Sequence, residues 1–186
     1  MPLLLLWALY AIGCGNDSAP AIGSSAELID EEGARADYRM ILAGAISDTL
    51  RGRAVFGPVI AAPSRTEQLV IKFETGVDFV GGLFITRGST DLPPRGAHPL
   101  ADAVAKPDSL PMEAFFVVYR EGLLRNLRSR SGTVTFDTVS DSLITGSLEA
   151  TLSGLVATRM GLRSGEVHVS GQFSARSGIV GFIVGI

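Results

Sequence analysis

The chain is poor in the residues that most chemistry needs. It has one cysteine, Cys14, which excludes an intramolecular disulfide framework and any metal site built from several cysteines. Only two histidines, His98 and His168, are present, and no spacing joins either to a second ligand of its kind. Lysine occurs twice, at Lys72 and Lys106, so arginine carries nearly all the basic charge, as in chains encoded by GC-rich genes. Charged residues make up 19% of the chain and the net charge is −3, which argues against a polyanion-coating protein because phosphate neutralisation needs a basic patch. The nucleophile elbow G-x-S-x-G is missing. So is a phosphate loop, since Gly81-Gly82 is not followed by the lysine and helix such a loop requires. No apolar run reaches the roughly 20 residues that span a bilayer as a helix. Enzyme chemistry has no support in these patterns, and neither metal nor cofactor is expected.

What remains is apolar, glycine-rich and strongly alternating. Hydrophobic residues make up 46% of the sequence and 22 glycines are scattered through it. The clearest stretch is Gly132 to Leu152. Val134 and Phe136 oppose Thr133, Thr135 and Asp137. After Ser140-Asp141-Ser142, the residues Ile144, Gly146, Leu148, Ala150 and Leu152 alternate with a largely polar set. Period-2 alternation with one apolar face marks a half-buried antiparallel strand, and Ser-Asp-Ser side chains bond their own backbone in turns.

Similar strands are expected over Tyr38–Ile46, Leu50–Ile60, Gln68–Thr75, Asp78–Arg87, Glu113–Arg120 and Glu166–Arg176. Pro58 belongs at a strand end or edge, because proline donates nothing to a ladder. Gly81-Gly82 reads as a bulge or a bend that lets the sheet curl, and Glu113–Arg120, apolar on both faces, reads as central. The apolar run Ile179–Ile186 is expected to close a sheet or barrel, since an exposed edge of that kind invites aggregation. Arg120, Arg125, Arg128 and Arg130 could catch an anionic lipid headgroup or sugar acid, but read first as a solvated edge that blocks strand pairing.

The prediction is an all-β fold: an antiparallel β-sandwich or up-and-down β-barrel of about eight to nine hairpin-connected strands over residues 38–186. One connection breaks the rhythm. Residues 88–112 hold five prolines, read as a long loop with at most one helical turn at Leu100–Ala105. Arg95, His98 and Asp102 within it are the candidate binding residues. His168, on the polar face of a strand, reads as solvated.

The N-terminus reads as an address. Leu3 to Gly13 is an uninterrupted apolar run followed by Cys14, of a length that suits the core of a secretory signal. Ala11-Ile12-Gly13-Cys14 resembles the lipobox of bacterial lipoproteins, with Ala11 where a leucine is usual. The resemblance covers about the first fourteen residues. It implies cleavage after residue 13, diacylglyceryl attachment and acylation at Cys14, and a membrane as partner. Gly15 rather than aspartate after the cysteine implies outer-membrane delivery in a Gram-negative cell. Residues 14–37, small and acidic, read as a flexible tether.

Two functions fit this reading. The first is an envelope-anchored lipoprotein whose non-enzymatic β domain takes part in binding or structural interactions, with a protein or glycan partner and no nucleic acid. The second is a lipocalin-like carrier of a small lipophilic ligand, in which inward glycines 44, 146 and 171 leave room and the proline-rich loop covers the mouth.

Overall fold

The computed structural model describes residues 37–61, 66–75, 80–102, 112–120, 123–158 and 161–180. They form nine strands and no helix: β1 Tyr38–Gly44, β2 Asp48–Ala61, β3 Thr66–Thr75, β4 Val80–Arg87, β5 Gly96–Pro99, β6 Met112–Arg120, β7 Leu123–Val139, β8 Leu143–Thr158 and β9 Gly161–Ser177. The fold is all-β, as the alternation predicts. Apart from β5, which pairs only with β7, strands adjacent in sequence are neighbours in the sheet, and β7 to β8 and β9 to β1 complete the circuit, so β1, β2, β3, β4, β6, β7, β8 and β9 form a ring. Every pairing is antiparallel except a two-residue parallel contact of Val55-Phe56 in β2 with Arg176-Ser177 in β9.

Alternation explains how the ring fills. Each strand sends every second residue inward, and one buried cluster gathers residues from all eight ring strands, among them Met40, Phe56, Ile71, Leu83, Phe116, Val134, Leu148 and Val169. A chain of rings crosses this interior. Tyr38 meets Phe73 edge-on at 5.2 Å between centroids, Phe73 meets Phe173 at 5.3 Å, and Phe173 meets Phe136 at 6.3 Å. Such T-shaped pairs add about 0.5–1.5 kcal/mol each beyond their buried area.

Several expectations are corrected. Gly81 and Gly82 run in unbroken register against β6 and make no bulge. The bulges lie in β7, at Ser129/Ser131 and Phe136/Thr138. The arginines of residues 120–130 do not mark an edge, because β7 is paired by β6 on one side and β8 on the other. Closure falls to β1·β9 and β7·β8 rather than to the last apolar run, of which Ile179 and Val180 are not in a strand and residues 181–186 lie outside the described residues. The inward glycines do not hollow the ring. A Cβ on Gly146 would collide with the Thr135 carbonyl oxygen, one on Gly171 with that of Arg39, and one on Gly44 would lie 2.6 Å from that of Glu166. Neighbouring backbone occupies the space, as glycine permits where strands coil closely.

Other expectations hold. Ser140 donates its backbone N–H to the Leu143 carbonyl at 2.9 Å and accepts the Leu143 N–H on its hydroxyl at 3.1 Å, so the turn uses the side-chain chemistry read from sequence. Pro58 pairs with β3 on one side, beyond the point where the parallel contact with β9 ends, so no second ladder asks for its missing N–H. β6 is buried on both faces: Ala114 and Phe116 join the main core, while Phe115 points outward. There it stacks on Phe84 at 4.8 Å in a second cluster with Val70 and Val180.

Candidate functional site

Four residues of the proline-rich connection, β5, join the sheet. β5 pairs with Thr133–Phe136 of β7, and β6 pairs with Leu123–Arg128 of the same strand. β5 and β6 therefore occupy one lane beside β7, broken by residues 101–111. Leu100 is buried in the main core and donates its N–H to the Gly132 carbonyl at 3.0 Å. Ala101 donates to the Met112 carbonyl at 2.9 Å. The break is thus shut at its base. Leu100 to Asp102 are not helical, and Ala103 to Ala105 of the expected helical turn lie outside the described residues.

Ser129, fully buried, holds this junction. Its hydroxyl accepts the Ala114 N–H at 3.3 Å and donates to the Ala101 carbonyl at 2.9 Å. It stands at the bulge against β8, where the β7 backbone shifts out of step. One hydroxyl therefore ties both ends of the interruption to the strand beside it. Nothing in the local sequence marks Ser129, because its role depends on partners 15 and 28 residues away.

The three predicted loop residues part ways here. His98 donates Nε2–H to the Pro94 carbonyl at 2.7 Å and lays its ring 5.4 Å from that of the buried Phe136. The imidazole is half-buried and supports the β5 lane. Arg95 is exposed at the bend before β5, and Asp102 is half-buried just past Ala101. Nearby, Arg87 donates to the Asp91 carbonyl and the Ser89 hydroxyl donates to the Asp91 carboxylate at 2.8 Å, which stiffens the segment leading in. Cys14 lies outside the described residues.

Two polar arrangements elsewhere escaped the sequence reading. Glu113, buried on the outer face of β6, receives Arg128 of β7 in a bidentate pair, Nε to Oε1 at 2.5 Å and Nη2 to Oε2 at 2.8 Å. The Glu113 hydrogen bond holds the Arg128 proton more firmly still, and burial opposes it. Arg128 stands directly opposite Phe115 in the ladder; the sequence signal is only an acid and an arginine on strands not yet known to be neighbours.

On the far wall, Thr151 Oγ1 lies 3.0 Å from His168 Nδ1, and His168 Nε2 lies 3.6 Å from Glu166 Oε1. Hydroxyl, imidazole and carboxylate stand in the order a nucleophile requires. The setting does not suit catalysis. The His168 side chain is 64% exposed, and Thr151 sits between the β7 and β9 ladders, in register with Ser131 and His168. Backbone donors in such ladders face neighbouring strands and cannot form an oxyanion hole. Among the described residues, no group of three or more His, Cys, Asp or Glu is placed to hold a metal ion.

Tyr38 completes the set. Its hydroxyl donates to the Glu74 carbonyl at 3.0 Å. Burial, aided by the Glu74 carboxylate, raises the phenol well above its ordinary pKa.

Scanned against protein-family models, curated proteins and solved structures, the chain matches none of them.

Proposed function

We propose that the protein is an envelope lipoprotein: a non-enzymatic β domain, tethered through lipid on Cys14, that acts by binding or by structural interaction. The observation that carries this reading is the sequence ahead of the ring. An apolar run ends in Ala11-Ile12-Gly13-Cys14, a small and acidic stretch follows, and the ring begins at Asp37 with hydrogen bonds to Gly52 and Ser174. Acyl chains at one cysteine give lasting attachment because each buried CH₂ contributes about 0.8 kcal/mol. In a Gram-negative cell, Gly15 after the cysteine favours the outer membrane.

The absence of catalysis is supported by how the reactive side chains are spent: Glu113 on Arg128, Ser129 on backbone, His98 on Pro94 and Phe136. We favour this reading over the carrier alternative on two observations. The glycines that were to open a lumen face neighbouring carbonyls, and rings in contact bridge the interior from β3 to β7.

The test is Cys14→Ser in the full chain expressed in a bacterial host. Wild type is expected in the membrane fraction with an intact mass raised by diacylglycerol and an acyl chain. The variant is expected to lose that added mass and its membrane retention. An unmodified wild-type mass would sink the anchor.

A further inference from the structure

The outside of the ring carries an apolar patch that its own strands do not cover. Val70 of β3, Phe84 of β4 and Phe115 of β6 each stand between two core residues and so point away from the interior, with Val59 and Val117 at the rim. Phe84 and Phe115 are nevertheless only 6% exposed. Their stacking covers one face of each ring. Lys72 stands beside Phe84 and Arg128 beside Phe115, but each reaches along the wall to a carboxylate, Glu74 and Glu113 respectively. The remaining cover comes from above the wall.

Part of that cover is visible. After β9 the chain turns outward over β2, where Gly178 donates its N–H to the Phe56 carbonyl at 3.0 Å. A Cβ on Gly57 would lie 2.5 Å from the Gly178 carbonyl oxygen and 3.4 Å from Val180 Cγ2, so a glycine there lets the chain pass this close. Val180, 4% exposed, then enters the patch with Val70, Phe84 and Phe115, while Ile179 before it is 95% exposed. Among the described residues, Val180 is the one member of the patch that does not belong to a strand of the wall. A valine side chain is smaller than either phenyl ring and cannot cover both.

The sequence supplies a match for the rest. Residues 181–186 read Gly-Phe-Ile-Val-Gly-Ile. Continued in extended form, the step from exposed Ile179 to buried Val180 sets Phe182, Val184 and Ile186 on the side of Val180 and both glycines on the other. The reach is sufficient. From β3 across β4 to β6 is two strand spacings, about 10 Å, and six extended residues span about 20 Å.

We infer that the outer face of β3, β4 and β6 is the seat of residues 181–186 of the same chain, with Phe182 over the Phe84–Phe115 stack. The segment acts as a strap: leaving β9 over Gly57, it holds β2, β3, β4 and β6 together from outside, across the ladders rather than along them. Continuity singles out this occupant over the apolar run at residues 3–13 or a second copy, because the strap already begins on the patch at Val180. The inference does not depend on the proposed anchor.

The experiment uses the full chain carrying Cys14→Ser, so that no lipid is attached, with the photo-crosslinking substitution Phe182→p-benzoylphenylalanine. It is mixed with an excess of probe-free chain labelled with heavy nitrogen, irradiated and mapped by peptide mass. Position 182 is expected to join to peptides of β4 or β6 from its own unlabelled copy. A link to a labelled copy, a link to residues 3–13 or to β1, or no link at all would overturn the proposal. Heating gives an independent reading. Phe182→Asp is expected to lower Tm by about 5 °C or more, as the loss of a buried phenyl ring requires. Ile183→Asp, on the outward side, is expected to stay within about 2 °C of the parent chain. Equal shifts at the two positions would also overturn it.

Discussion

Replacing Ser129 by alanine tests whether one hydroxyl holds the interrupted lane together. The substitution removes a few atoms from a fully buried position and leaves the Ala114 N–H and the Ala101 carbonyl without the partner each now has, at 3.3 and 2.9 Å. A buried polar group stripped of its partner costs about 1–3 kcal/mol. Water entering the small space would recover part of that, so a net loss of about 2–3 kcal/mol is expected. For a domain of this size that lowers Tm by about 4–10 °C. Urea titration followed by far-ultraviolet circular dichroism should show the midpoint falling with the slope unchanged, since the surface exposed on unfolding is the same. Hydrogen exchange at the Ala114 amide should accelerate beyond what the global loss explains. Ser131→Ala, two residues along and exposed, is the control, expected within about 0.5 kcal/mol of wild type. If Ser129→Ala also falls within that range, the hydroxyl does not clamp the loop and the reasoning fails.

Gly146→Ala, by driving a methyl into the Thr135 carbonyl, is expected to cost about 2–3 kcal/mol in the same titration; a stabilised variant would show that the strands can part there and that the ring is looser than described. Tyr38 sets a pH limit. Its raised folded pKa means that the unfolded chain loses the phenolic proton first, so stability is whole below about pH 10 and falls above it by about 1.4 kcal/mol per pH unit. Tyr38→Phe, measured by denaturant titration between neutral and strongly alkaline pH, should start less stable and lose that slope; an unchanged slope would assign the alkaline loss to another group.

Legibility followed how local each cause is. The β7–β8 hairpin could be read because its exposed and buried faces alternate within one segment and Ser140 makes its own turn. β5 could not. Gly96-Ala97-His98-Pro99 is too short and too flanked by glycine and proline to have a strand preference of its own, and it becomes one only because β7 extends past β6 and offers a free lane. The outward burial of Phe115 is legible as a strand apolar on both faces, but what lies against it, Phe84 and Val180, comes from distant parts of the chain. Glu113 and Ser129 were silent for the same reason: each is defined by a partner on another strand. The inward glycines are legible only as missing side chains; sequence does not show which backbone fills each gap.

The hydrogen bond from Ala101 to Met112 has a consequence for engineering. An insertion whose two ends are already joined by the host leaves the host indifferent to what lies between them. Lengthening such a segment costs only about 0.6 kcal/mol per doubling. The site is thus a natural port for grafting a foreign peptide or a reporter, carried on a continuous hydrogen-bonded ring and displayed wherever the ring is held.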